Sequence, residues 1–585
     1  MSESIHSDAN SKIEAVNDSK HWWSSGLHLN KDDAPPQIYN RTLYLSIFVF
    51  GILGCARGYD EGCISGTVAQ TSFIKEFGLK DPSKTASQLA NLKSNITSMV
   101  QLGSIGGSLV SIYAAEALGR IRTLQVGCLV WAIAAIIQIT SHSIGQLYAG
   151  RLIEGFCIGT TVVCGPCYIS ECAPKAIRGT CNNIFAGAVY FGIMMAYFAN
   201  YGTALHQTGR NQWIYPTSIK LVLAGSILIL SMFFCIESPR WLIKKGNMEQ
   251  ALINFSKLRH LEPDHPYILS EIADINEQLQ VEREAIRGTS LWTNIRSLVT
   301  VKSIRIRMVL CLLIQILGQW SGANAITIYA PELFAIVGKS KQTDRMMMTA
   351  VLGVVKFTSA YLSAFFLIDF IGRKKSLYAG IILQLISSLY FAIYMTIVPQ
   401  AAEEDVELNP SQVRAGKGAL ASIYFNGIGW TMGWNSVQYL FNSEVLPLRV
   451  RSLGTAVVMA FHFANQYGNS KAVPSMLLAM TNYGAFYFFA GVCLLGLVFA
   501  WFLLPEVTGR SLESMEELFA LPWYLIGRRG AQLVPDHSEV NRIHFNPTGH
   551  GNAHAGDIDI VMKQQTENVE YADDKVADRE LEEVK

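Results

Sequence analysis

Residues 43–68 read LYLSIFVFGILGCARGYDEGCISGTV, an apolar stretch that carries Arg57, Asp60 and Glu61. About 20 apolar residues are enough for a helix that crosses a membrane. An ionised side chain near the bilayer centre costs at least about 2.5 kcal/mol, so such residues usually face a partner or a water-filled path. The stretch therefore predicts a transmembrane helix that contributes charged groups to a functional site.

Helical spacing places Arg57 one turn from both Asp60 and Glu61, so this cation can neutralise only one carboxylate. A second apolar stretch adds Arg151 and Glu154. If all five groups share one cavity, two cations face three carboxylates, an arrangement in which a carboxylate gains a proton readily. We therefore predict a proton-coupling site. The alternative is a set of fixed ion pairs that only hold two helices together. The predicted proton-coupling residues are Asp60, Arg151, Glu154 and Arg57.

The apolar residues of the whole chain fall in long blocks, and 50% of the 585 residues are hydrophobic whereas 16% are charged. Blocks this long that cross lipid are helices, because each backbone polar group must be satisfied inside the segment. The sequence thus predicts an all-α membrane protein with twelve transmembrane helices in two six-helix bundles and short cytoplasmic helices. The twelve segments are 44–68, 93–115, 123–141, 147–172, 181–202, 216–236, 304–330, 346–370, 375–399, 417–443, 452–478 and 481–504.

A charged turn recurs between the second and third segments of each half, as EALGRIR at 116–122 and DFIGRKK at 369–375. Such an internal repeat indicates two parallel bundles around a central path, the arrangement of many secondary transporters. The predicted domains are a disordered cytoplasmic arm (1–40), an N-terminal bundle (41–236), a cytoplasmic helical linker (237–303), a C-terminal bundle (304–504) and a largely disordered cytoplasmic tail (505–585).

Lysines and arginines cluster in alternate short loops, which the positive-inside rule places in the cytoplasm. We expect both termini to be cytoplasmic and the membrane to be the plasma membrane. The net charge of +1, without a basic patch, argues against a nucleic-acid partner. The sequence shows no nucleophile paired with a base, no metal-ligand cluster and no phosphate loop, so we expect neither an enzyme nor a cofactor, with protons as the coupling ion.

Acidic residues and arginines also recur together at the cytoplasmic ends of several segments. Each set alone is most simply a solvated loop. Four sets at equivalent ends favour a gate of breakable ion pairs. An ion pair contributes little stability in water and more when closure of the gate excludes water from it. The predicted cytoplasmic gate consists of Glu171 and Arg178, Glu237 and Arg240, Glu444 with Arg449 and Arg451, and Glu506 with Arg510.

The seventh segment contains GQWSGANAITIYAPELF (318–334), in which the amides of Gln319 and Asn324 can donate and accept hydrogen bonds, and small residues let the helix bend. This suits an uncharged polyhydroxylated substrate, although a buried amide can also bond only to another helix. Aromatic residues of the tenth segment can stack on sugar rings or simply pack. The predicted substrate-binding residues are Gln319, Asn324, Trp434, Tyr439 and Asn435.

Two more polar residues interrupt apolar segments. Lys356 in the eighth segment is a full charge at membrane depth, unless its long side chain reaches toward the surface. His462 in the eleventh segment could titrate near neutral pH or serve as a hydrogen-bonded structural group.

Nine motifs occur in this order along the chain: GYDEGCISG, EALGRIR, RLIEG, ISECAPKAIRG, ESPRWL, SGANAITIYAP, DFIGRKK, SEVLPLRVRS and PEVTGRSLE. Together they resemble the sugar porter family of the major facilitator superfamily over about residues 40–525. Proton-coupled members carry an aspartate and an arginine at the positions of Asp60 and Arg151. The resemblance also implies that Gln319 and Asn324 coordinate sugar and that Tyr439 takes the place of a usual tryptophan.

Several positions depart from the family pattern and put a glucose-type binding mode in doubt. Gly318 replaces one of two usual glutamines, Ala186 replaces a fifth-helix glutamine, and Lys356 or Phe357 stands at a usual asparagine. The tenth and eleventh segments look like those of fungal proton-coupled fructose transporters. We therefore expect a monomeric, plasma-membrane proton symporter for a monosaccharide, with fructose as the candidate hexose. The alternatives are a facilitative sugar or polyol transporter and a non-transporting sugar sensor.

Overall fold

The computed structural model describes residues 35–174, 177–286, 291–337, 341–364, 373–399, 409–447, 450–505, 518–519, 521–522 and 525–527, and within these ranges the regular structure is helical. The helices are α1 (Arg41–Ala69), α2 (Thr71–Glu76), α3 (Ala86–Leu118), α4 (Arg120–Ile139), α5 (Ile144–Cys172), α6 (Arg178–His206), α7 (Asn211–Phe234), α8 (Pro239–Lys244), α9 (Met248–Arg259), α10 (Pro266–Ile286), α11 (Leu291–Thr300), α12 (Lys302–Gln319), α13 (Ala323–Ile336), α14 (Gln342–Leu362), α15 (Arg373–Ile397), α16 (Pro410–Met432), α17 (Trp434–Val445), α18 (Arg451–Ala479) and α19 (Thr481–Phe502).

The predicted twelve-helix, all-α membrane fold is confirmed. Helices α1 and α3 to α7 form the N-terminal six, and α12–α13, α14, α15, α16–α17, α18 and α19 form the C-terminal six. In the described part of the chain, eight helical stretches are long and apolar enough to cross a membrane by composition alone. The more polar crossings are α3, α14, α16 and α18. Two of their pairings explain this, since α3 packs on α18 and α14 packs on α6, across the boundary between the halves.

Helices α3 and α5 approach closely because two glycines of α3 face the backbone of α5. A Cβ atom on Gly103 would lie 2.1 Å from the carbonyl oxygen of Leu152, and one on Gly107 would lie 2.0 Å from that of Phe156. Small residues at membrane helix contacts permit such packing where lipid supplies no hydrophobic drive. A third glycine of α3, Gly106, meets only the ring of Phe156 at 3.7 Å.

The helices of the seventh and tenth crossings are each interrupted within the crossing. Between α12 and α13, Gly322 adopts φ +92°, a left-handed conformation that a side chain would strain. Between α16 and α17, the chain turns at Gly433, with φ −103° and ψ −92°. The first break agrees with the bend predicted from the small residues and separates Gln319, at the end of α12, from Asn324, at the start of α13.

The short helices α8 to α10 pack at one end of the N-terminal half. Arg259 of α9 forms an ion pair of 2.7 Å with Glu271 of α10 and donates a hydrogen bond of 2.9 Å to the carbonyl oxygen of Cys172, the last residue of α5. Asn40, just before α1, donates to the carbonyl oxygen of Leu258 at 2.7 Å. We call this end of the bundle the linker side and the other end the opposite side.

Candidate functional site

Four charged side chains meet in the interior of the N-terminal half: Asp60 on α1, Arg151 and Glu154 on α5, and Lys220 on α7. Each is at most 2% exposed. Lys220 Nζ lies 2.5 Å from Asp60 Oδ1 and 3.0 Å from Glu154 Oε1. Arg151 Nη1 lies 3.6 Å from Asp60 Oδ1. We call these four residues the charge cluster.

Neutral groups of neighbouring helices fix the orientation of the charge cluster. Trp131 Nε1 and Gln138 Nε2, both on α4, donate to the two carboxylate oxygens of Glu154 at 2.8 and 2.7 Å. Arg151 Nε donates to the carbonyl oxygen of Ile96 on α3 at 2.7 Å. Pairing and hydrogen bonding of this kind offset the cost of removing charges from water. Five helices therefore converge on the cluster.

Sequence reasoning found Asp60, Arg151 and Glu154 but missed Lys220. The predicted sixth segment (216–236) places Lys220 close to its start, whereas α7 begins at Asn211 and carries Lys220 more than two turns into the helix. A lysine this far inside an apolar stretch was the available signal. With Lys220 included, the charge cluster has two cations and two carboxylates, so the predicted excess of one negative charge is wrong for this group.

Arg57 and Glu61 lie on the side of α1 that faces the C-terminal half. The guanidinium carbon of Arg57 lies 5.7 Å from the centre of the Phe463 ring on α18. Glu61 Oε1 accepts a hydrogen bond of 3.3 Å from Gln466 Nε2, also on α18. The five charged groups therefore do not share one cavity, which was the condition for the predicted negative excess, because they are divided between two faces of α1. Arg57 belongs with Glu61 and not with the charge cluster.

Gln466 connects α1 to Asn324, one of the predicted substrate-binding amides. Its Nε2 atom lies 3.3 Å from Glu61 Oε1 on α1 and 3.3 Å from Asn324 Oδ1 on α13. The link crosses the boundary between the two halves, and all three side chains are remote in sequence. Gln466 was not among the predicted residues, although the polar run HFANQYGNSK at 462–471 marked this helix as unusual for a membrane.

The predicted amides Gln319 and Asn324 lie in a buried polar network of the C-terminal half. Gln319 is 2% exposed and its Nε2 atom lies 3.5 Å from Gln438 Oε1. Asn324 is 5% exposed and donates to Ser470 Oγ at 3.2 Å. Gln319 Oε1 and Asn469 Nδ2 have no hydrogen-bond partner among the described groups. The network therefore keeps both an acceptor and a donor available for a hydroxylated ligand.

His462 belongs to the same network as a structural group. Its Nδ1 atom lies 2.8 Å from Gln315 Oε1, and Gln315 Nε2 donates to the carbonyl oxygen of Gln438 at 3.1 Å. Because the Gln315 amide nitrogen is thus engaged, its oxygen accepts from the histidine. This arrangement is the hydrogen-bonded alternative of the two predicted for His462.

The predicted substrate contacts of the tenth crossing do not all lie together with the amides. Trp434 is fully buried among apolar side chains of the C-terminal core, with its ring against Gly318 and Gly496, so it presents no face to a ligand in this conformation. Trp430 Nε1 instead donates to Tyr190 Oη on α6 at 2.9 Å, across the two halves. Asn435 is half-buried near the start of α17. The side chain of Tyr439 lies outside the described residues.

Two predicted gate acids have partners on other helices of the N-terminal half. Glu171 accepts two hydrogen bonds from Arg120, at 2.9 and 2.7 Å. Glu237 accepts from the backbone nitrogen atoms of Arg120 and Ile121 at the start of α4, at 2.9 and 3.3 Å. A carboxylate at a helix N-terminus accepts hydrogen bonds from unpaired N–H groups and interacts favourably with the helix dipole. These contacts stabilise the linker side of one half instead of bridging the two halves.

The remaining predicted gate residues are only partly described. Arg178 and Arg240 lie at the starts of α6 and α8, on the linker side. Arg451 donates from Nε to the carbonyl oxygen of Leu446 at 3.1 Å, within the C-terminal half. The side chain of Glu444 and residues Arg449, Glu506 and Arg510 lie outside the described residues.

Comparison with known proteins identifies relatives over most of the chain. A family model described as Sugar (and other) transporter matches residues 46–519. A probable quinate permease from Aspergillus fumigatus is 32% identical over 491 residues, which cover 83% of this chain and 89% of the relative. A quinate permease from Neurospora africana is 32% identical over 505 residues, which cover 85% and 92%.

Solved structures show the same fold. The xylose transporter XylE from E. coli, in a partially occluded inward-open conformation, superposes with a TM-score of 0.66 at 22% identity, covering 81% of this chain and 100% of that one. XylE bound to 6-bromo-6-deoxy-D-glucose gives a TM-score of 0.66 at 24% identity, covering 82% and 99%. The fold is thus that of the major facilitator superfamily. The chain belongs to the Sugar (and other) transporter family and is a multi-pass membrane transporter, not an enzyme.

Proposed function

We propose that this chain is a proton-coupled symporter that imports a monosaccharide or a related cyclic polyol by alternating access. The observation that carries the proposal is the position of Asp60, which is buried between the cations of Lys220 and Arg151, 2.5 and 3.6 Å away, in the interior of a transporter. A carboxylate in this position exchanges cation partners for a proton, and each exchange changes what holds α1 to α5 and α7.

Glu154 keeps Lys220 paired when Asp60 becomes protonated. When Asp60 is protonated, Lys220 retains its ion pair with Glu154, 3.0 Å away, while the contact between Asp60 and Arg151 is released. Helix α1 is then free to move relative to α5. Uphill transport follows from linkage if the carrier reorients only when both proton and substrate, or neither, are bound.

The amides of the C-terminal half are the proposed substrate contacts. The unfilled acceptor Gln319 Oε1 and the unfilled donor Asn469 Nδ2 fit a ligand rich in hydroxyl groups. Asn324 lies beside them and is connected through Gln466 to Glu61 on α1, the helix that carries Asp60. This connection is the proposed route by which substrate binding and protonation influence each other.

The substrate candidates are a hexose, with fructose the first to test, and quinate, the compound in the names of the fungal relatives. Quinate is a ring polyol like a sugar but carries a carboxylate. We further propose that the linker side faces the cytoplasm, that the membrane is the plasma membrane and that the monomer is the transporting unit. The basic loop residues support this orientation.

A direct test is substrate uptake by proteoliposomes with and without an imposed pH gradient. Asp60→Asn should abolish accumulation against a gradient while substrate exchange survives, because the neutral amide mimics the protonated acid. Asp81→Asn, in the exposed connection between α2 and α3, is the matched control and should accumulate substrate like wild type. Undiminished accumulation by Asp60→Asn would exclude Asp60 as the coupling group.

Facilitative transport without proton coupling is the second candidate. It is favoured by one observation, since Lys220 lies 2.5 Å from Asp60 and supplies a cation that can keep this carboxylate ionised throughout the cycle. Wild-type uptake that stops at equal concentrations on both sides, with or without a pH gradient, would establish this alternative.

A further inference from the structure

The buried charges around α1 do not cancel. The charge cluster contains two cations and two carboxylates and is neutral. On the other face of α1, Glu61 interacts electrostatically with both Arg57 and Lys356. With His462 neutral, this second group has a net charge of +1. The two groups around α1 together thus hold four cations and three carboxylates, the reverse of the excess that the first and fourth segments predicted.

The side chain of Lys356 is buried among helices of the C-terminal half and does not extend to the surface. It lies on α14 and is 1% exposed. Its Nζ atom donates a hydrogen bond to Thr327 Oγ1 on α13. Its methylene chain packs on Gly427 of α16, where a Cβ atom would lie 3.2 Å from Cγ and 3.3 Å from Cε of the lysine. Three helices of the C-terminal half therefore hold this ammonium group in place.

The two buried lysines have different surroundings. Lys220 contacts two carboxylates within 3.0 Å. Lys356 has no carboxylate oxygen within ion-pair distance in the described part of the chain; its contact there is the neutral hydroxyl of Thr327, and it shares the charge of Glu61 with Arg57. A buried ammonium group without a directly bound anion is expensive. A carboxylate bound beside Lys356 and Thr327 would supply the missing partner.

We propose that Lys356 and Thr327 form a carboxylate-binding subsite and that the transported substrate is a polyhydroxylated monocarboxylate, the acid derivative of a sugar or of a cyclic polyol. Thr327 lies one helical turn after Asn324 on α13, so the subsite adjoins the amides proposed to bind hydroxyl groups. One ammonium group and one hydroxyl group are the donors that a single carboxylate needs. This inference rests on the proposed function and specifies its substrate class.

The test measures competition in proteoliposomes between matched neutral and acidic compounds, namely myo-inositol against quinate and galactose against galacturonate. For wild type, the acid of each pair should inhibit uptake at a concentration about tenfold lower than the neutral compound. Lys356→Gln should remove this preference and leave inhibition by the neutral compounds within about twofold. Lys356→Arg should keep part of the preference. Lys341→Gln, at the exposed start of the same helix, is the matched control and should behave like wild type.

The outcomes separate this inference from the proposed function. Wild-type uptake of neutral sugars with equal or weaker inhibition by the acids would overturn the subsite while leaving the transporter proposal intact. Absence of uptake for every compound would overturn both. If Lys356→Gln does not insert into membranes, the wild-type preference within each matched pair decides alone. An acid preference that persists in Lys356→Gln would also contradict the assignment.

Discussion

The hydroxyl of Tyr329 in α13 lies 2.8 Å from the hydroxyl of Thr97 in α3 and donates a hydrogen bond of 2.8 Å to the carbonyl oxygen of Ser470 in α18. One side chain thus joins the two halves at the opposite side. Lys93 and Glu332 form an ion pair across the same boundary, and the ammonium group lies 5.9 Å from the centre of the Tyr329 ring. The structure is therefore closed at the opposite side.

Tyr329→Phe should make the opposite side open more often, because it removes both hydroxyl contacts while keeping the ring. A cysteine introduced at Ser98, which is fully buried on α3, should then react several times faster with a membrane-impermeant maleimide. The reference is the same cysteine in a protein that keeps Tyr329. Tyr44→Phe, which changes an exposed tyrosine of α1, serves as the control. Equal labelling with tyrosine and phenylalanine at position 329 would show that these hydrogen bonds do not hold the halves together.

Lys220→Met should destabilise the folded transporter by about 3 to 5 kcal/mol, since it leaves two buried carboxylates facing Arg151 alone. The double variant Lys220→Met with Glu154→Gln should recover most of the loss, because Asp60 and Arg151 then form a balanced pair. Thermal unfolding midpoints in detergent measure both effects, with the exposed Lys80→Met as control. A single variant as stable as wild type would mean that Lys220 is dispensable to the cluster.

Gly107→Ala should weaken the contact between α3 and α5, because the new methyl carbon would lie 2.0 Å from the carbonyl oxygen of Phe156. The backbone cannot move aside cheaply, so we expect a loss of about 1 to 3 kcal/mol. Gly106→Ala is the matched control one position earlier, where the nearest atom is a ring carbon at 3.7 Å. Folded yield and thermal midpoint should fall for the first variant and remain unchanged for the second.

The surroundings of Glu237, on the linker side, predict that the stability of the folded protein depends on pH. Burial raises the pKa of this carboxyl above its ordinary value of 4.5, against hydrogen bonds from the backbone of Ser238, Arg120 and Ile121 that lower it. The folded state therefore binds this proton more tightly than the unfolded state. The contribution of Glu237 to stability is complete below pH 4.5 and is lost as the pH rises through the folded pKa.

Glu237→Gln removes this titration while keeping an oxygen that accepts hydrogen bonds. The thermal midpoint of wild type relative to Glu237→Gln should fall as the pH rises from about 4.5 toward neutrality. Thermal shift measurements in detergent over this range test the sign. A difference that stays constant, or grows with pH, would contradict the raised pKa.

The gate residues show what motif spacing could and could not predict. The motif that contains Glu171 also contains Arg178, seven positions later, yet the carboxylate pairs with Arg120 from the preceding repeat turn, 51 residues away in sequence. Both partners were noticed in the sequence as parts of charged turns. Their pairing depends on the packing of α3, α4 and α5, and Gly103 and Gly107 permit the close contact of α3 with α5.

The sequence by itself determined the twelve crossings, the internal repeat and the presence of charges inside the membrane, because hydropathy and helical periodicity are local and add along the chain. It also identified Asp60 with Arg151 through a family resemblance. Only the tertiary structure decided that Lys220, 160 residues from Asp60, joins that pair, and that Arg57 and Glu61 face the other half. Which charges neutralise one another in a low-dielectric interior depends on distances of a few ångströms between remote helices, and no local pattern encodes these distances.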